Sequence, residues 1–377
     1  MSLRVLIAPD KFKGSLTARQ VAAALAKGWQ KSRKHDTITL LPMSDGGDGF
    51  GEVLSGALGA KTKSVKTVDA AHRPHSAEWR WAPKTKTAIV ESARIIGLGM
   101  LPKGQFHPFQ MDSTGLGEVI LAAAKQGATR CLVGLGGSAT NDAGFGMAKA
   151  LGWKFLRANG VPITQWTDLD QLAKIIPPRK RKLFRSVTVA VDVQNPLLGP
   201  RGCSRIYGPQ KGLRPEDYPK ADACMKQLVK VLKRDHKLDF AKTPGAGAAG
   251  GLGFAVPTFL GGKPESGFEI VASYSQLRKH LAKADLVITG EGALDRSTTM
   301  GKGVGEIARL CKKSKLPVIG FSGYLDDVPP LRRLFDLARG LTPGFVTTEE
   351  AFANPELHLS RLAERVAHEI SGPCACC

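Results

Sequence analysis

Apolar residues near the start of the chain alternate between short continuous runs and helical spacing. The run at 4–9 (RVLIAP) predicts a buried strand, and apolar positions three and four residues apart predict a helix over 17–29. A second strand is predicted at 37–43, followed by the glycine-rich start of a second helix. Strands that alternate with helices in this way are typical of α/β proteins with parallel sheets.

The middle of the chain departs from this rhythm. Residues 61–91 alternate apolar and polar positions with breaks at Pro74 and Pro83, which predicts antiparallel strands. A helix over 113–127 and a strand over 131–135 follow, and 153–185 is interpreted as a connecting region. Further on, the pattern predicts a strand at 187–193 and a helix at 218–234. The glycine-rich stretch 243–262 is interpreted either as loops around a short apolar helix or as close packing of two helices.

The last third regains a regular alternation, which predicts a parallel, doubly wound sheet. Its predicted elements are a strand at 284–290, a helix from about 303, a strand at 316–323, a helix at 331–338, a strand at 340–346 and a last helix near Asn354.

Composition is that of a folded globular protein. Hydrophobic residues make up 42% of the 377 residues and charged residues 23%. No apolar run approaches the ~20 residues that a membrane-spanning helix needs. The short apolar start is interpreted as a buried strand rather than a signal peptide, so we expect a cytoplasmic protein. The first four of the seven cysteines are scattered, which predicts reduced thiols. The tail CACC is expected to be a frayed terminus rather than a soft-metal site.

The formal net charge of +21 favours anionic ligands or acidic partners. Aromatic residues make up 6% of the chain and do not alternate with the basic clusters. We therefore expect solvated basic helix faces, with no specific nucleic-acid partner and no membrane partner.

Five predicted strands end in polar or glycine-rich turns: APDKFKGS, PMSDGGDG, GLGGSATND, VDVQNP and TGEGALDRS. Carboxylates at strand ends beside glycine-rich loops suit magnesium and phosphoryl transfer. Each aspartate also has a structural interpretation as a helix cap or turn former. The P-loop pattern is absent, and so is a dinucleotide-binding GxGxxG after the first strand. The loop GLGGSATNDAG (134–144) is interpreted either as a backbone cradle for a phosphate or as a tight strand-to-helix turn.

These loops, taken in order, resemble the bacterial type of glycerate kinase. The similarity extends over IAPDKFKGSLTA, PMSDGGDG, GLGGSATNDAGFGMAKALGWKF, VDVQNPLLGPRGCSRIYGPQKG, PGAGAAGGLGF and ADLVITGEGALD. The resemblance implies an ATP- and magnesium-dependent kinase that phosphorylates D-glycerate, generally at the 2-hydroxyl. Alternatives are a 3-phosphoglycerate product and a non-catalytic nucleotide-binding protein. Asp48, Phe50 and Cys203 depart from the pattern expected for the family.

The family's fold implies two α/β domains, one Rossmann-like, doubly wound and discontinuous, with the second inserted into it. We expect the Rossmann-like domain at 1–66 and 283–377, with part of 113–152 as an optional addition, and the inserted domain at 67–282. The oligomeric state stays open, with a homodimer as one option.

Residue roles follow from the chemistry that such a kinase needs. Asp192 is the favoured general base and Asp45 the second choice; either aspartate could instead bind magnesium. Lys11 is also assigned to the catalytic group and, like Lys211, could help to hold the glycerate carboxylate. Arg205 is the candidate for the glycerate carboxylate, against the alternative of a surface arginine paired with a loop acid. The remaining assignments are Lys211 and Ser44 for substrate, Asp10 and Asp295 for metal, and Gly136, Gly137, Ser138, Asn141, Gly290, Glu291 and Lys302 for the nucleotide.

Overall fold

The structure is a computed structural model that describes residues 2–47, 49–300, 303–326 and 328–371. The chain forms two compact units, one made of Met1–Asp45 and Phe268–Cys377 and the other of Gly46–Gly267. Each unit has its own main sheet with helices around it, so the predicted α/β class is confirmed.

The described strands are β1 (Arg4–Ile7), β2 (Thr37–Leu40), β3 (Lys61–Val68), β4 (Pro74–Ala82), β5 (Thr87–Glu91), β6 (Arg130–Gly134), β7 (Lys154–Leu156), β8 (Lys174–Ile176), β9 (Ser186–Ala190), β10 (Lys263–Glu265), β11 (Leu286–Leu294), β12 (Val318–Leu325) and β13 (Leu337–Thr342).

The described α-helices are α1 (Ala18–Ser32), α2 (Phe50–Leu58), α3 (Thr114–Lys125), α4 (Phe145–Ala150), α5 (Cys203–Ile206), α6 (Tyr218–His236), α7 (Ala248–Leu260), α8 (Gly267–Tyr274), α9 (Leu277–Leu281), α10 (Gly303–Lys313), α11 (Pro329–Leu334), α12 (Thr348–Ala353) and α13 (Pro355–Ser371). Short 3₁₀ turns occupy Ser92–Arg94, Leu98–Met100, Pro108–Gln110, Trp166–Gln171, Pro209–Lys211, Pro215–Asp217 and Arg296–Met300.

The sheet of the first unit is fully parallel and has the order β13-β12-β11-β1-β2. Helix α1 begins after Thr17, whose hydroxyl accepts from the backbone N–H of Gln20 in a capping box. Apolar residues of α1 such as Leu25 and Trp29 form one core with α13 and with residues of β1 and β11. The chain order reverses between β1 and β11, which is the point where open α/β sheets bind ligands.

The second unit is built on a six-stranded mixed sheet in the order β10-β9-β6-β5-β4-β3. The pairs β3–β4 and β4–β5 are antiparallel, as the alternation over 61–91 predicts, and the other pairs are parallel. Because β5, β6, β9 and β10 run in the same direction, their carboxyl ends lie along one edge. A large core that includes Phe145, Phe155 and Trp166 packs in this unit.

Several boundaries differ from those expected from the sequence. The boundary after residue 66 falls inside β3, which pairs with β4 from Lys61 to Val68 and so belongs to the second unit's sheet. Helices α8 and α9 lie almost wholly in the first unit, although they precede residue 283. The connecting region 153–185 contains the antiparallel pair β7–β8. No helix in the described part of the chain is long and apolar enough to cross a membrane.

The end of the chain also differs from the prediction. Helix α11 ends at Leu334 rather than 338, because Phe335 has an extended backbone and β13 begins at Leu337. Strand β13 is drawn into the sheet by parallel pairing with β12, a long-range interaction that local apolar spacing does not encode.

Candidate functional site

The candidate site of the first unit lies where the strand order reverses, between β1 and β11. Strand β1 leads into Asp10, whose backbone N–H donates to the carbonyl oxygen of Gly290 on β11 over 2.8 Å. The loop after β2 is held to the same edge, because the N–H of Met43 donates to the carbonyl oxygen of Pro9 over 2.8 Å. The polar residues predicted after these three strands therefore share one edge of the sheet.

Four carboxylates at this edge lie close enough to perturb one another: Asp10, Asp45, Glu291 and Asp295. Burial raises the pKa of Asp10 to about 7, and the charge of Asp45 adds to the rise. Burial also raises the pKa of Glu291 to about 7, and the other three carboxylates add to that rise. Buried carboxylates that repel one another are a favourable environment for a cation.

This edge fits Mg²⁺ better than an ion that needs a full protein cage. Within the described ranges, no group of three or more His, Cys, Asp or Glu side chains is arranged to hold a metal ion. Mg²⁺ usually takes one or two carboxylates together with water and substrate phosphates. Asp10 and Glu291 could supply the carboxylates. Asp295 is less available, because its Oδ1 accepts from the N–H and the hydroxyl of Ser297 at 2.7 and 2.6 Å.

The remaining predicted residues of this unit occupy different environments. Ser44 is buried in the loop after β2, and Lys11 is half-buried directly after Asp10. Gly290 lies inside β11, where an added Cβ would come within 2.3 Å of the carbonyl oxygen of Phe321. The absence of a side chain at Gly290 is thus explained by strand packing alone. Lys302 lies outside the described residues.

In the second unit the glycine-rich loop after β6 lies at the carboxyl edge of the sheet. Ser92 Oγ donates to the carbonyl oxygen of Gly136 over 3.1 Å, and the N–H of Leu98 donates to that of Gly137 over 2.8 Å. By contrast, the N–H groups of Gly136, Gly137 and Ser138 donate no hydrogen bond within the part of the chain that the structure describes. Three neighbouring free donors favour a bound anion.

Backbone geometry and packing account for several glycines in and around this loop. Gly137 has φ +62° and Gly144 has φ +71°, the left-handed region in which glycine is favoured. Gly250, at the start of α7, has φ +69°, and an added Cβ would lie 1.9 Å from the carbonyl oxygen of Thr140. The glycine-rich stretch 243–262 therefore lets the start of α7 lie directly against the loop. The loop thus has the left-handed glycines of a tight turn together with the free N–H groups that a phosphate cradle needs. Both interpretations made from the sequence are compatible with it.

Lys211 contacts this loop although it lies more than 70 residues later in the chain. Its side chain is buried at 5% exposure, and its Nζ donates to the carbonyl oxygen of Thr140 over 2.7 Å and to Ser138 Oγ over 3.2 Å. Burial lowers the pKa of Lys211 to about 8, and electrostatic interactions with Cys203 and Asp142 oppose that fall. Ser138 is predicted to bind the nucleotide and Lys211 the substrate. Their direct hydrogen bond places the two side chains next to each other.

The next two residues of the loop have contrasting partners. Asn141 Nδ2 donates to Ser204 Oγ over 3.0 Å, whereas its buried Oδ1 has no partner within the described residues. Asp142 is fully buried, and its carboxylate accepts from the N–H and hydroxyl of Ser113 and from the N–H groups of Gly144 and Gly146. Asp142 thus joins the loop to the starts of α3 and α4, as the structural interpretation of a strand-end aspartate predicts.

Asp192, the favoured general base, follows β9 at the same edge. Its Oδ1 accepts from the hydroxyl of Ser266 over 3.0 Å and from the N–H of Gly267 over 3.1 Å. A Cβ added to Gly46 would lie 3.0 Å from Asp192 Oδ2. Because Gly46 has no side chain, its backbone can lie beside the Asp192 carboxylate. The hydrogen bonds from Ser266 and Gly267 fix the orientation of that carboxylate.

Arg205, the candidate for the substrate carboxylate, is paired with an acid. Its Nη2 lies 3.1 Å from Asp222 Oδ2, and its guanidinium carbon lies 5.2 Å from the ring centre of Tyr218. Both partners are on α6. This is the pairing named as the alternative for Arg205, although the acid is on a helix rather than in a loop. A substrate role would use the N–H donors of Nε and Nη1, or would require the guanidinium to exchange Asp222 for the ligand.

Glu91 lies at the carboxyl edge of the second unit's sheet and is not among the site residues predicted from the sequence. It ends β5 and is 5% exposed, and its Oε2 lies 3.2 Å from Arg94 Nε. A Cβ on Gly51, in the first turn of α2, would come within 2.3 Å of the same oxygen. The position of Glu91 directly after the apolar run AIV is the signal in the sequence, but the predicted antiparallel strands over 61–91 do not include a functional loop there.

Known proteins match the chain along almost its whole length. The model of the glycerate kinase family matches residues 5–371. The chain belongs to the glycerate kinase family. Among members of known name, glycerate 2-kinase of Escherichia coli (strain K12) is 36% identical over 374 residues, covering 97% of each protein. Glycerate kinase of Bacillus subtilis (strain 168) is 34% identical over 373 residues, covering 98% of each.

The fold of this family member matches a solved structure as well. The crystal structure of a protein assigned as glycerate kinase 2 from Salmonella typhimurium LT2 superposes with a TM-score of 0.87 at 33% identity, covering 98% of this chain and 99% of that one. The family and the enzyme class predicted from the strand-end loops are thereby confirmed. The roles of individual residues stay predictions.

Proposed function

We propose that the chain transfers the γ-phosphoryl group of ATP to the 2-hydroxyl of D-glycerate, giving 2-phosphoglycerate and ADP. The observation that carries this proposal is the match to the glycerate kinase family over residues 5–371. The relative from Escherichia coli is named a glycerate 2-kinase, which supports the choice of the 2-hydroxyl. Polar groups of the kind that phosphoryl transfer uses follow the strands of each sheet, which also supports the proposal.

In this reaction the substrate hydroxyl oxygen forms a bond to the γ-phosphorus, and the bond from that phosphorus to the bridging oxygen of ADP breaks. The hydroxyl proton passes to a carboxylate, for which Asp192 is the first candidate and Asp45 the second. The hydrogen bonds from Ser266 and Gly267 fix the orientation of Asp192. Fixed orientation matters here, because positioning and charge neutralisation supply most of the catalysis of phosphoryl transfer.

The cation requirement is assigned to the carboxylates of the first unit. Asp10, together with Glu291 or Asp295, would hold Mg²⁺, which neutralises phosphate charge when it is bound. The raised pKa values of Asp10 and Glu291 support this assignment, because a bound cation would offset the burial and the carboxylate repulsion that raise them. Since the pKa values are about 7, binding of the cation would also release protons near neutral pH.

A coupled assay of ADP release across small hydroxy acids tests the proposal. We expect turnover with D-glycerate that requires both ATP and Mg²⁺, and much slower turnover with L-glycerate, glycolate and D-lactate. Glycolate and D-lactate are informative controls, because each lacks one feature of glycerate while keeping a carboxylate and a hydroxyl on the adjacent carbon. Nucleotide binding without turnover of any hydroxy acid would instead favour a non-catalytic nucleotide-binding protein.

A further inference from the structure

The glycine-rich loop of the second unit holds a buried cation that forms no ion pair with any described carboxylate. Lys211 is 5% exposed, and the partners of its Nζ, Thr140 O and Ser138 Oγ, are both uncharged. Removing an ammonium group from water is costly unless an opposite charge lies beside it. The surroundings of Lys211 therefore favour an anion that the protein itself does not supply.

The contact with Lys211 also determines which way the Ser138 hydroxyl can donate. An ammonium group has three donors and no acceptor, so Ser138 Oγ must accept from Lys211. The hydroxyl hydrogen of Ser138 is then free to donate, and no acceptor for it lies within the described residues. Ser138 is 3% exposed, so this donor is not simply directed into bulk water.

The backbone adds donors at the same place. The N–H groups of Gly136, Gly137 and Ser138 have no acceptor within the residues that the structure describes. The carbonyl oxygens of Gly136 and Gly137 already accept hydrogen bonds from Ser92 Oγ and from the N–H of Leu98, whereas the N–H groups of these residues donate none to a described residue. The loop is thus rich in free donors and lies beside a positive charge, an arrangement that selects an anion.

We propose that Lys211, the Ser138 hydroxyl and the N–H groups of residues 136–138 form a binding site for one anionic oxygen group, either a phosphate or a carboxylate. Lys211 serves as the counter-ion and as the group that directs the Ser138 hydroxyl. This inference rests on the proposed function, because that function supplies the two ligands that could bind. The phosphate would come from the nucleotide, and the carboxylate from D-glycerate.

Other titratable groups around Lys211 do not replace the missing anion. Cys203 is buried, and burial raises the pKa of its thiol to about 11, so it is neutral at physiological pH. Asp142 is the other titratable neighbour; burial raises the pKa of its carboxyl, and it accepts hydrogen bonds from Ser113 and from the N–H groups of Gly144 and Gly146. Lys211 should lose its proton near pH 8, so anion affinity should fall above that pH.

Titration calorimetry of the full chain tests the site without requiring turnover. The probes are ADP, inorganic phosphate and D-glycerate, each measured with the wild type, Lys211→Met and Ser138→Ala. We expect at least a ~10-fold loss of affinity in both variants for one class of probe, phosphate-bearing or carboxylate-bearing, and a smaller change for the other. Lys149→Met is the matched control, because Lys149 also donates to a carbonyl oxygen, that of Thr164, over 2.9 Å.

The pH dependence separates a direct role in binding from a structural one. In the wild type the affinity for the affected probe should fall by up to about tenfold per pH unit above pH 8, and Lys211→Met should abolish that dependence. Ser138→Ala keeps the test valid if removal of Lys211 prevents folding. Unchanged affinity for all three probes in a folded Ser138→Ala or Lys211→Met variant would overturn the inference. A wild type that binds these probes but does not turn over would instead contradict the proposed kinase activity alone.

Discussion

Replacing Glu291 by glutamine should stabilise the ligand-free protein at alkaline pH. The folded protein raises the pKa of Glu291 from 4.5 to about 7, mainly through burial and then through the carboxylates around it. A difference of about 2.5 pK units corresponds to about 3 kcal/mol, at ~1.36 kcal/mol per unit. Thr298 Oγ1 donates to Glu291 Oε1 over 2.8 Å, and the amide oxygen of glutamine can accept the same bond.

The sign of the pH dependence follows from which state binds the proton. Between pH 4.5 and about 7 the folded protein holds a proton on Glu291 that the unfolded chain has released, so stability falls as pH rises through this range. The cost is absent below pH 4.5 and fully present above about pH 7. Glu291→Gln removes it, so the variant should gain up to about 3 kcal/mol over the wild type at pH 8 and little at pH 4.

Urea unfolding without nucleotide or metal, at about pH 4 and pH 8, measures this difference. Because two compact units need not unfold together, the comparison uses the transition that Glu291→Gln shifts, with the wild type in parallel. Glu364→Gln is the control, since Glu364 lies in the same unit but is paired with Lys31 at 2.9 Å on the surface. If Glu291→Gln were no more stable than the wild type at pH 8, the argument that burial and repulsion strain this cluster would be refuted.

Two further substitutions test the glycine-rich loop of the second unit. Gly137→Ala should lose about 1–2 kcal/mol of stability in thermal unfolding, because φ is +62° and the new Cβ would lie 3.3 Å from that of Ala93; a variant as stable as the wild type would contradict this geometry. Asp142→Ala should lose at least ~3 kcal/mol in urea unfolding, because it leaves buried donors of Ser113, Gly144 and Gly146 without an acceptor; a loss below about 1 kcal/mol would mean that water or another group replaces the carboxylate.

The elements that were predicted well are those whose pattern is local. Strand β1 and helix α1 follow directly from a continuous apolar run and from helical spacing after Thr17. The antiparallel pairing of β3 and β4 likewise follows from alternation over 61–91. These segments could be predicted because most of the information that determines them lies within each segment.

Other features depend on partners far away in sequence and could not be derived from local patterns. Strand β13 replaces the end of a predicted helix because it pairs with β12. Lysine is expected on the surface, and the burial of Lys211 depends on carbonyl and hydroxyl acceptors about 70 residues earlier. The pairing of Arg205 with Asp222 depends on how α5 and α6 pack. For the same reason the sequence places the loops at the strand ends but leaves the partners of their side chains open.

Phosphorus NMR of the reaction product tests the central claim most directly. The protein is incubated with ATP, Mg²⁺ and D-glycerate, and the new phosphomonoester signal is recorded with proton coupling. A phosphate on the 2-hydroxyl couples to the one proton on that carbon, so the account predicts a doublet. A phosphate on the 3-hydroxyl couples to two protons and would give a triplet, which would contradict transfer to the 2-hydroxyl. No new phosphomonoester signal at all would contradict the kinase activity itself.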